Sequence, residues 1–484
     1  MTEAPREGFI DRFLKAVDNH PEIIAIEESE SGRRLSYAAA KAEIEGLRGS
    51  FRAAGIAAGD PVLLMLPLGA DFILALYALA SMRAVAVTVS PHMTSWELGP
   101  ILEGAQPVGL VTDSTLYASH AEAFAELGPL KLNYRSDQRP AVAPLPFPMT
   151  GIGPDNPVVT CHYTYKGFAR PVGVLHRYHD YTHAITGMAG GLETPFRPGD
   201  VFLDWLPIYA VYSLTLSVIM PLSYGCTILL MEKVRSNFLA TMSETNARVA
   251  PMIPPMFPLL LRQCEGKAPP PLNPDLHICT GGAFLDPEWA KRTEEALGVT
   301  VLQGYGTTET LPFLGNHPQS RRAGSIGKSM IAANQVAILG PHGQELPPGE
   351  ENVGEIVVMG PSVAHGFLND PQDSAHFFRD GWFHTGDLGW RDADGHFYFL
   401  GRRISITKIA AQMVDLTEVE QVLARHPAVA KARTMVKDDQ DLIASVMVHM
   451  GHETDARSLR DHCRQYLSPH KVPKRYNIYP TAAW

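Results

Sequence analysis

Cysteine is scarce in this chain of 484 residues, which contains only five. The five are far apart and form no Cys-x-x-Cys pair: Cys161, Cys226, Cys264, Cys279 and Cys463. Such spacing argues against a disulfide framework and against a zinc site built from cysteine pairs. Free thiols are typical of a reducing compartment, so the sequence predicts a cytoplasmic protein.

Positive charge and long apolar runs are also in short supply. Lysine and arginine number 41 against 51 aspartates and glutamates, and the net charge of −10 argues against a nucleic-acid partner. The first residues are polar and lack the apolar core of a signal peptide. The uncharged stretch Tyr212 to Met231 is long enough to span a membrane, but Pro221 and Gly225 interrupt it. We expect a buried helix followed by a core strand there, and no membrane span.

The chain is too long for a single core, so two or more units are expected. Buried strands alternate with helices near the N-terminus: strand Pro61 to Met65, helix Ala70 to Met82 and strand Ala84 to Val89. This alternation predicts parallel, doubly wound sheets with helices on both faces. The proline-rich stretch Pro140 to Pro157 has no periodicity and is interpreted as a connector between subdomains.

Two stretches in the second half of the chain carry most of the chemical information. Gly304 to Glu309 reads Gly-Tyr-Gly-Thr-Thr-Glu, and Phe383 to Asp387 reads Phe-His-Thr-Gly-Asp. Alone, the first is explained by a glycine turn with a solvated glutamate, and the second by a simple Thr-Gly turn. Together they resemble the adenylate-forming superfamily: acyl-CoA synthetases, the adenylation domains of nonribosomal peptide synthetases, and luciferases. The resemblance covers nearly the whole chain.

The resemblance implies how a nucleotide is held. Tyr305 offers a flat face on which adenine can stack, and Thr307 and Thr308 supply hydroxyls to the α-phosphate. Glu309 matches the family's Mg²⁺ ligand. A glutamate suits this role, because magnesium prefers oxygen ligands near phosphate. Asp387 matches the carboxylate that accepts both ribose hydroxyls. The implied nucleotide-binding residues are Gly281, Gly282, Ala283, Tyr305, Gly306, Thr307, Thr308, Asp387 and Arg402.

The segment expected to bind the outer phosphates departs from the family. The family's loop usually reads Thr-Ser-Gly-Thr-Thr-Gly-x-Pro-Lys-Gly-Val, whereas Thr164 to Val174 reads Thr-Tyr-Lys-Gly-Phe-Ala-Arg-Pro-Val-Gly-Val. Tyr165 and Phe168 replace small hydroxylated residues that donate to phosphate oxygens, and Val172 replaces the lysine. Loss of one preorganised donor costs on the order of a hundred- to a thousandfold in rate, so we predict weak or absent use of ATP. The alternative is that Lys166 and Arg170 bind the phosphates from displaced positions and compensate for the lost donors.

The segment Asp204 to Leu214 resembles the family's Leu-Pro-x-Phe-His-x-x-Gly-Leu motif beside the acyl group. Ala210 stands where the family often has a histidine or an aromatic residue, which predicts a pocket enlarged for a bulky hydrophobic acid. The alternative is simply a helix start in the core. The implied acyl-pocket residues are Tyr209, Ala210, Gly281, Gly304 and Gly306.

Beyond Arg402 the chain resembles the family's hinge and mobile lid. Ser405 takes the place of the family's pivot aspartate, and rotation about a few backbone torsions does not require that residue. The implied CoA-tunnel residues are Ala410, Ala411 and Met413. The implied catalytic residues are Thr308, Glu309 and Lys408. The sequence stops at Trp484, before the family's last lysine motif, so an omitted tail and a missing lysine are both open.

The predicted fold class is α/β, with a large N-terminal domain and a small mobile lid. The N-terminal domain, residues 1–400, combines doubly wound sheets with a distorted β-barrel subdomain. A hinge at 401–405 leads to an α+β lid at 406–484, which is the part that would lack the last motif.

The retained adenylate site and the eroded phosphate loop together predict an acid–thiol ligase of the acyl-CoA synthetase kind. It would convert the acyl-adenylate of a bulky hydrophobic carboxylic acid to the CoA thioester, with adenylation weak or absent. A partner ligase would supply the adenylate, as in tailoring steps of secondary metabolism. One alternative is a complete ligase or amide synthetase that uses ATP and Mg²⁺. The other is a non-catalytic protein that binds AMP or an acyl-adenylate.

Overall fold

The computed structural model describes most of the chain. The described ranges are 7–93, 95–148, 156–164, 171–193, 195–231, 238–266, 268–402, 406–409, 412–437, 441–467 and 471–480. The chain forms two compact units. The first contains Met1–Val336 and Val358–Phe383, and the second contains Ala337–Val357 and His384–Trp484. The predicted boundaries at residues 400 and 405 stay predictions.

A nine-stranded sheet forms one half of the first unit. Its strands, in spatial order, are Lys328–Ser329, Leu311–Gly315, Thr300–Thr307, His277–Thr280, Val249–Met252, Val201–Asp204, Thr227–Leu230, Ile24–Glu28 and Arg34–Ser36. The central strands pair in parallel, with His277 opposite Thr300 and Thr227 opposite Val201. Parallel strands covered on both faces become continuous apolar runs, and Thr227–Leu230 is buried at all four positions.

A seven-stranded sheet forms the other half of this unit. Its strands, in spatial order, are Gly366–Phe367, Val172–Arg177, Val158–Thr164, Val85–Thr88, Pro61–Leu64, Gly109–Thr112 and Leu132–Arg135. Val158–Thr164 and Val172–Arg177 are antiparallel neighbours, with Thr164 opposite Val172. The segment that was compared with the phosphate loop therefore connects two paired strands.

Helices follow most strands of the first unit. They are Phe9–Asn19, Tyr37–Ala53, Ala70–Ser81, Ser95–Ala105, Ser114–Ser119, Ala121–Ala125, Tyr178–Gly191, Val211–Ser213, Met220–Ser223, Phe238–Glu244, Phe257–Cys264, Pro287–Leu297 and Pro371–Phe377. A π-helix at Leu214–Ile219 and a 3₁₀ turn at Pro254–Met256 complete the set, beside a short strand at Phe378–Arg379.

The helix and strand expected between Tyr212 and Met231 are confirmed. The helical part is continuous from Val211 to Ser223, and Leu214–Ile219 is wholly buried. The strand Thr227–Leu230 follows it. Across the described ranges, no helix is long and apolar enough to cross a membrane.

The second unit is built mainly from antiparallel strands. Gln335–Leu339, Gly354–Met359 and Trp382–Arg391 pair in that order, and Phe397–Arg402 joins Trp382–Arg391. The hairpin Ile406–Ile409 and Gln412–Asp415 follows. Helices Leu416–Ala424 and Ala456–Tyr466 accompany a three-stranded sheet of Val429–Lys437, Asp441–Val448 and Arg475–Pro480. Their shared apolar core includes Val419, Leu423 and Leu459.

Candidate active site

A β-hairpin carries the motif Gly304 to Glu309. The strand Thr300–Thr307 continues through both glycines, first parallel to His277–Thr280 and then antiparallel to Leu311–Gly315. The turn occupies residues 308–310. The alternative interpretation of Gly304 to Gly306 as a glycine turn is therefore wrong, because pairing with the returning strand keeps these residues extended.

Gly306 is required by the close approach of the two hairpin strands. A Cβ added there would lie 2.8 Å from Cα of Pro312, closer than real Cβ atoms come to backbone. Leu311 begins the return strand with φ of 55°, a left-handed conformation that is strained for a side chain with a Cβ. The hairpin is thus tightly constrained where it changes direction.

The turn presents Thr308 and encloses Glu309. Thr308 is half-buried, whereas the Glu309 side chain has no exposed surface, so the alternative of a solvated glutamate is wrong. The Thr307 hydroxyl accepts the Glu309 N–H at 3.2 Å, and the Thr310 hydroxyl accepts the Thr307 N–H at 2.9 Å. The Glu309 carbonyl accepts the N–H of Ala364 at 2.7 Å. These bonds fix the backbone of the proposed phosphate and metal residues.

Tyr305 lies on the same hairpin, and its half-buried ring meets Phe313 edge-on at 5.5 Å. The strand His277–Thr280 ends beside it and leads to Gly281, which is buried, and to Gly282 and Ala283, which are exposed. Exposed small residues leave the backbone accessible to a flat ligand. The structure thus brings part of the predicted nucleotide set to the ends of two neighbouring strands.

Tyr212, to which the sequence analysis gave no role in the site, lies against Gly281. Its hydroxyl donates to the carbonyl of Cys279 at 2.8 Å. A Cβ added at Gly281 would lie 3.5 Å from the Tyr212 ring and 3.5 Å from the carbonyl of Gly304. Tyr209 is half-buried, and Ala210, the N-cap of the helix Val211–Ser213, is exposed. Their assignment to the acyl pocket stays a prediction.

The predicted phosphate loop lies mostly outside the described residues, since these omit 165–170. Its flanks are described. Val172, predicted to take the place of the family's lysine, is 2% exposed and packs with Val174, Ala364 and Phe367. The position of this predicted replacement is therefore apolar.

In the second unit Asp387 follows a glycine with a left-handed backbone inside a strand. Trp382–Arg391 is one continuous strand, so the predicted Thr-Gly turn is wrong. Gly386 has φ of +76°, and its N–H donates to Glu355 Oε1 at 2.9 Å, while Glu355 Oε2 lies 3.0 Å from His384 Nδ1. A buried carboxylate thus stabilises the left-handed residue that precedes Asp387.

Asp387 is 3% exposed, and Arg402 Nε lies 3.2 Å from its Oδ1. The register places the two residues directly opposite each other on neighbouring strands. Lys408 lies on the strand Ile406–Ile409 and Met413 on the strand Gln412–Asp415. Ala410, Ala411 and Ser405 lie outside the described residues.

The oxygen-rich hairpin fits a nucleotide better than a metal bound by protein alone. Thr307 and Thr308 directly precede Glu309 in the hairpin, and the Thr307 hydroxyl lies 3.2 Å from the Glu309 backbone nitrogen. No group of three or more His, Cys, Asp or Glu side chains within the described ranges is placed to hold a metal ion. Mg²⁺ that keeps waters and phosphate oxygens as its other ligands needs only one or two carboxylates, so Glu309 fits that mode of binding.

Comparison with known families decides the class of the protein. The model of the AMP-binding enzyme family matches residues 13–368, and that of the AMP-binding enzyme C-terminal domain matches residues 418–482. The chain belongs to the AMP-binding enzyme family. The predicted membership of the adenylate-forming superfamily is confirmed, and the region between the two matches contains the predicted hinge.

Curated relatives of this family member are named as CoA ligases. A sulfoacetate–CoA ligase of Cupriavidus necator is 29% identical over 470 residues, which cover 93% of this chain and 89% of the relative. A crotonobetaine/carnitine–CoA ligase of Escherichia coli is 27% identical over 485 residues, which cover 93% and 91%. The prediction of an acyl-CoA synthetase-like enzyme is confirmed at this level.

Solved structures share the fold. An anthranilate CoA ligase in complex with anthranoyl-AMP matches with a TM-score of 0.83 and 20% identity, over 98% of this chain and 93% of that one. An o-succinylbenzoate CoA synthetase of Bacillus subtilis in complex with its acyl-adenylate matches with a TM-score of 0.84 and 23% identity, over 97% and 94%. The predicted α/β class with a large N-terminal and a small C-terminal domain is confirmed.

Proposed function

We propose that this enzyme forms a CoA thioester from an acyl-adenylate and that its own ATP-dependent adenylation is weak or absent. The thiol sulfur of CoA forms a bond to the acyl carbon, the bond from that carbon to the phosphate oxygen breaks, and AMP leaves with the electron pair. The thiol proton is released to solvent. ATP belongs to the preceding half-reaction.

The main support is the contrast between the residues assigned to the adenylate, each considered within its own unit, and the position assigned to the phosphate lysine. The hairpin with Thr308 and Glu309 is tightly hydrogen-bonded, and the strand position of Asp387 is fixed by a buried carboxylate. By contrast, Val172, which we align with the family's lysine, lies within an apolar cluster. A lysine there would have to lose its hydration, which costs several kcal/mol for an unpaired charge.

The residues retain distinct proposed roles. Tyr305, with Gly281, Gly282 and Ala283, would hold the adenine, and Asp387 with Arg402 would hold the ribose. Thr308 would donate to the α-phosphate where negative charge develops as AMP departs. Glu309 would hold Mg²⁺, which supplies charge neutralisation at phosphate when it is bound. Lys408, Ala410, Ala411 and Met413 are proposed to line the CoA path.

The decisive experiment measures the two half-reactions side by side. ATP–pyrophosphate exchange is measured over a panel of acids, and thioester formation is measured from synthetic acyl-AMP and CoA. We expect thioester formation with exchange at least about a hundredfold slower, the effect of one lost donor. Exchange as fast as thioester formation overturns the proposal and leaves the complete ligase.

The acid is proposed to be bulky and hydrophobic, because the Tyr212 ring lines the backbone at Gly281 with an aromatic surface. Relatives named for sulfoacetate and carnitine favour small charged acids instead. The adenylates of benzoate and of sulfoacetate separate these choices, with a higher kcat/KM expected for the benzoate compound. The reverse order overturns the assignment of the acid.

Two further predictions accompany this function. A partner ligase would supply the adenylate, and the pair would act in the cytoplasm, as expected of a tailoring step in secondary metabolism. The competing candidate, a complete ATP-dependent ligase or amide synthetase, is favoured by the names of the relatives. Product analysis with ATP, acid, CoA and amines distinguishes it. A protein that binds acyl-AMP without consuming it would be the non-catalytic alternative.

A further inference from the structure

Two buried histidines lie on the strands that enter and leave the phosphate-loop segment. His162 belongs to Val158–Thr164 and His176 to Val172–Arg177. Thr160 pairs with His176 and His162 with Val174, so both imidazoles project from the same face of this strand pair. They are 3% and 0% exposed, and their ring centroids are 6.1 Å apart. The sequence analysis gave neither residue a role.

His162 holds the carbonyl of Tyr209. Its Nδ1 lies 3.1 Å from that carbonyl oxygen and 2.7 Å from the Thr88 hydroxyl, and its Nε2 lies 2.7 Å from the Tyr181 hydroxyl. The Thr88 hydroxyl also donates to that carbonyl, at 3.2 Å. Because a carbonyl only accepts, a hydrogen bond from His162 to it requires the proton on Nδ1, and Nε2 then accepts from Tyr181. Burial, and then the neighbouring His176, lower the pKa of His162 to about 3, so the ring is neutral.

His176 holds the carbonyl of Thr308. Its Nε2 lies 2.6 Å from that oxygen and must donate to it. Its Nδ1 faces Asp180 Oδ2 at 3.6 Å, and the same oxygen accepts the Arg177 N–H at 2.8 Å at the start of the helix Tyr178–Gly191. Asp180 Oδ2 is too far from Nδ1 for a hydrogen bond, so within the described residues the imidazole is held by its bond to the turn of the candidate site.

We infer that His162 and His176 are positioning residues, which fix the acyl segment at Tyr209 and the phosphate turn at Thr308 to the base of the phosphate loop. This inference rests on the proposed function, because it gives those two segments their roles. Neither histidine touches substrate in this scheme. Each fixes a main-chain carbonyl whose displacement by about 1 Å would cost on the order of a hundredfold in rate.

The test uses substitutions that keep or remove one donor. An asparagine amide matches the Nδ1 position and a glutamine amide the Nε2 position, so H162N and H176Q retain the bond to the carbonyl. H162L and H176L remove it. H179L is the matched control, because His179 is buried on the adjacent helix and neither of its ring nitrogens has a hydrogen-bond partner within the described residues.

The full chain is measured for AMP affinity by calorimetry with Mg²⁺, for thioester formation from benzoyl-AMP and CoA, and for melting temperature. H176L is expected to weaken AMP binding about tenfold and to lower kcat/KM about a hundredfold. H162L is expected to raise KM for benzoyl-AMP with AMP affinity unchanged. The amide variants are expected to recover most of each loss, which a general loss of stability would not produce.

Two results overturn the inference. One is that both leucine variants match H179L in AMP affinity and kinetics, and the other is that the amide variants are no better than the leucine variants. A wild-type protein that binds AMP but forms no thioester refutes the proposed function alone, since AMP affinity still tests His176. A wild-type protein that neither binds AMP nor forms thioester refutes both.

Discussion

Asp204 is a carboxylic acid without solvent exposure at the end of a parallel strand. The Ser213 hydroxyl lies 3.0 Å from both carboxyl oxygens, and the Leu206 N–H donates to Oδ1 at 3.1 Å. Burial nevertheless raises the pKa of Asp204 to about 8, against about 3.9 in an unfolded chain. Between these values the native state keeps a proton that the unfolded chain has released, so stability falls as pH rises.

The D204N variant, which keeps an acceptor oxygen, removes this dependence. Between pH 5 and pH 8 the free energy of unfolding of the wild type is expected to fall by a few kcal/mol more than that of D204N. Denaturant midpoints at the two pH values measure the change, with D455N at an exposed helix N-cap as control. The prediction is contradicted if wild type and D204N differ in free energy of unfolding by the same amount at both pH values.

Glu355 supports Asp387 through two buried contacts, with the Gly386 N–H and with His384. E355L removes the acceptor, and E355Q keeps one oxygen. Because hydrogen bonds to charged groups contribute about 1.5–3 kcal/mol, E355L is expected to weaken AMP binding about tenfold or more, and E355Q less. Calorimetry measures the affinities. E345Q, an exposed carboxylate paired with Arg391 in the same unit, is the control, and an equal effect of E345Q and E355L would refute the role.

At the scale of elements, the hairpin around residues 308–310 is held closely by its own backbone contacts. G306A places a Cβ against the backbone of Leu311 and Pro312 and must separate the strands. We expect the rate of thioester formation to fall about a hundredfold.

The control is G46A, in the helix Tyr37–Ala53, where an added Cβ has no atom within 4 Å. Its free energy of unfolding should rise by about 0.5–1 kcal/mol, because alanine favours a helix over glycine, and its rate of thioester formation should equal that of the wild type. Wild-type activity of G306A would show that the hairpin tolerates separation.

The strands and helices of the first unit are largely predictable from sequence, because apolar runs such as Thr227–Leu230 reflect burial on both faces. The strands through Gly304 and Gly386 are not predictable, because glycine locally favours a turn and the partner strand decides otherwise. His162 and His176 also escape sequence analysis. Their partners Thr88, Tyr209 and Thr308 are distant in the chain, and only the folded unit brings them together.

For the whole molecule, the ratio of the adenylation rate to the rate of thioester formation can be tested by redesigning the loop. Replacing residues 165–169 with Ser-Gly-Thr-Thr-Gly introduces the residues that the family's loop usually carries, and under the proposed function pyrophosphate exchange is expected to rise about a hundredfold. Adding V172K is expected to lower the melting temperature without further gain, because the amine would enter an apolar cluster. V172M controls for side-chain length. Unchanged exchange in the loop variant would show that the substitutions at 165–169 are not what limits ATP use.

The cluster around Val172 also limits what one substitution can achieve there. Ala364 and Phe367, on a different segment of the chain, fill the space beside Val172. A cation placed at residue 172 alone would find neither water nor an anion as a partner, and an unpaired buried charge is costly. A stable charge at this position would therefore need changes at Ala364 or Phe367 as well as at Val172 itself.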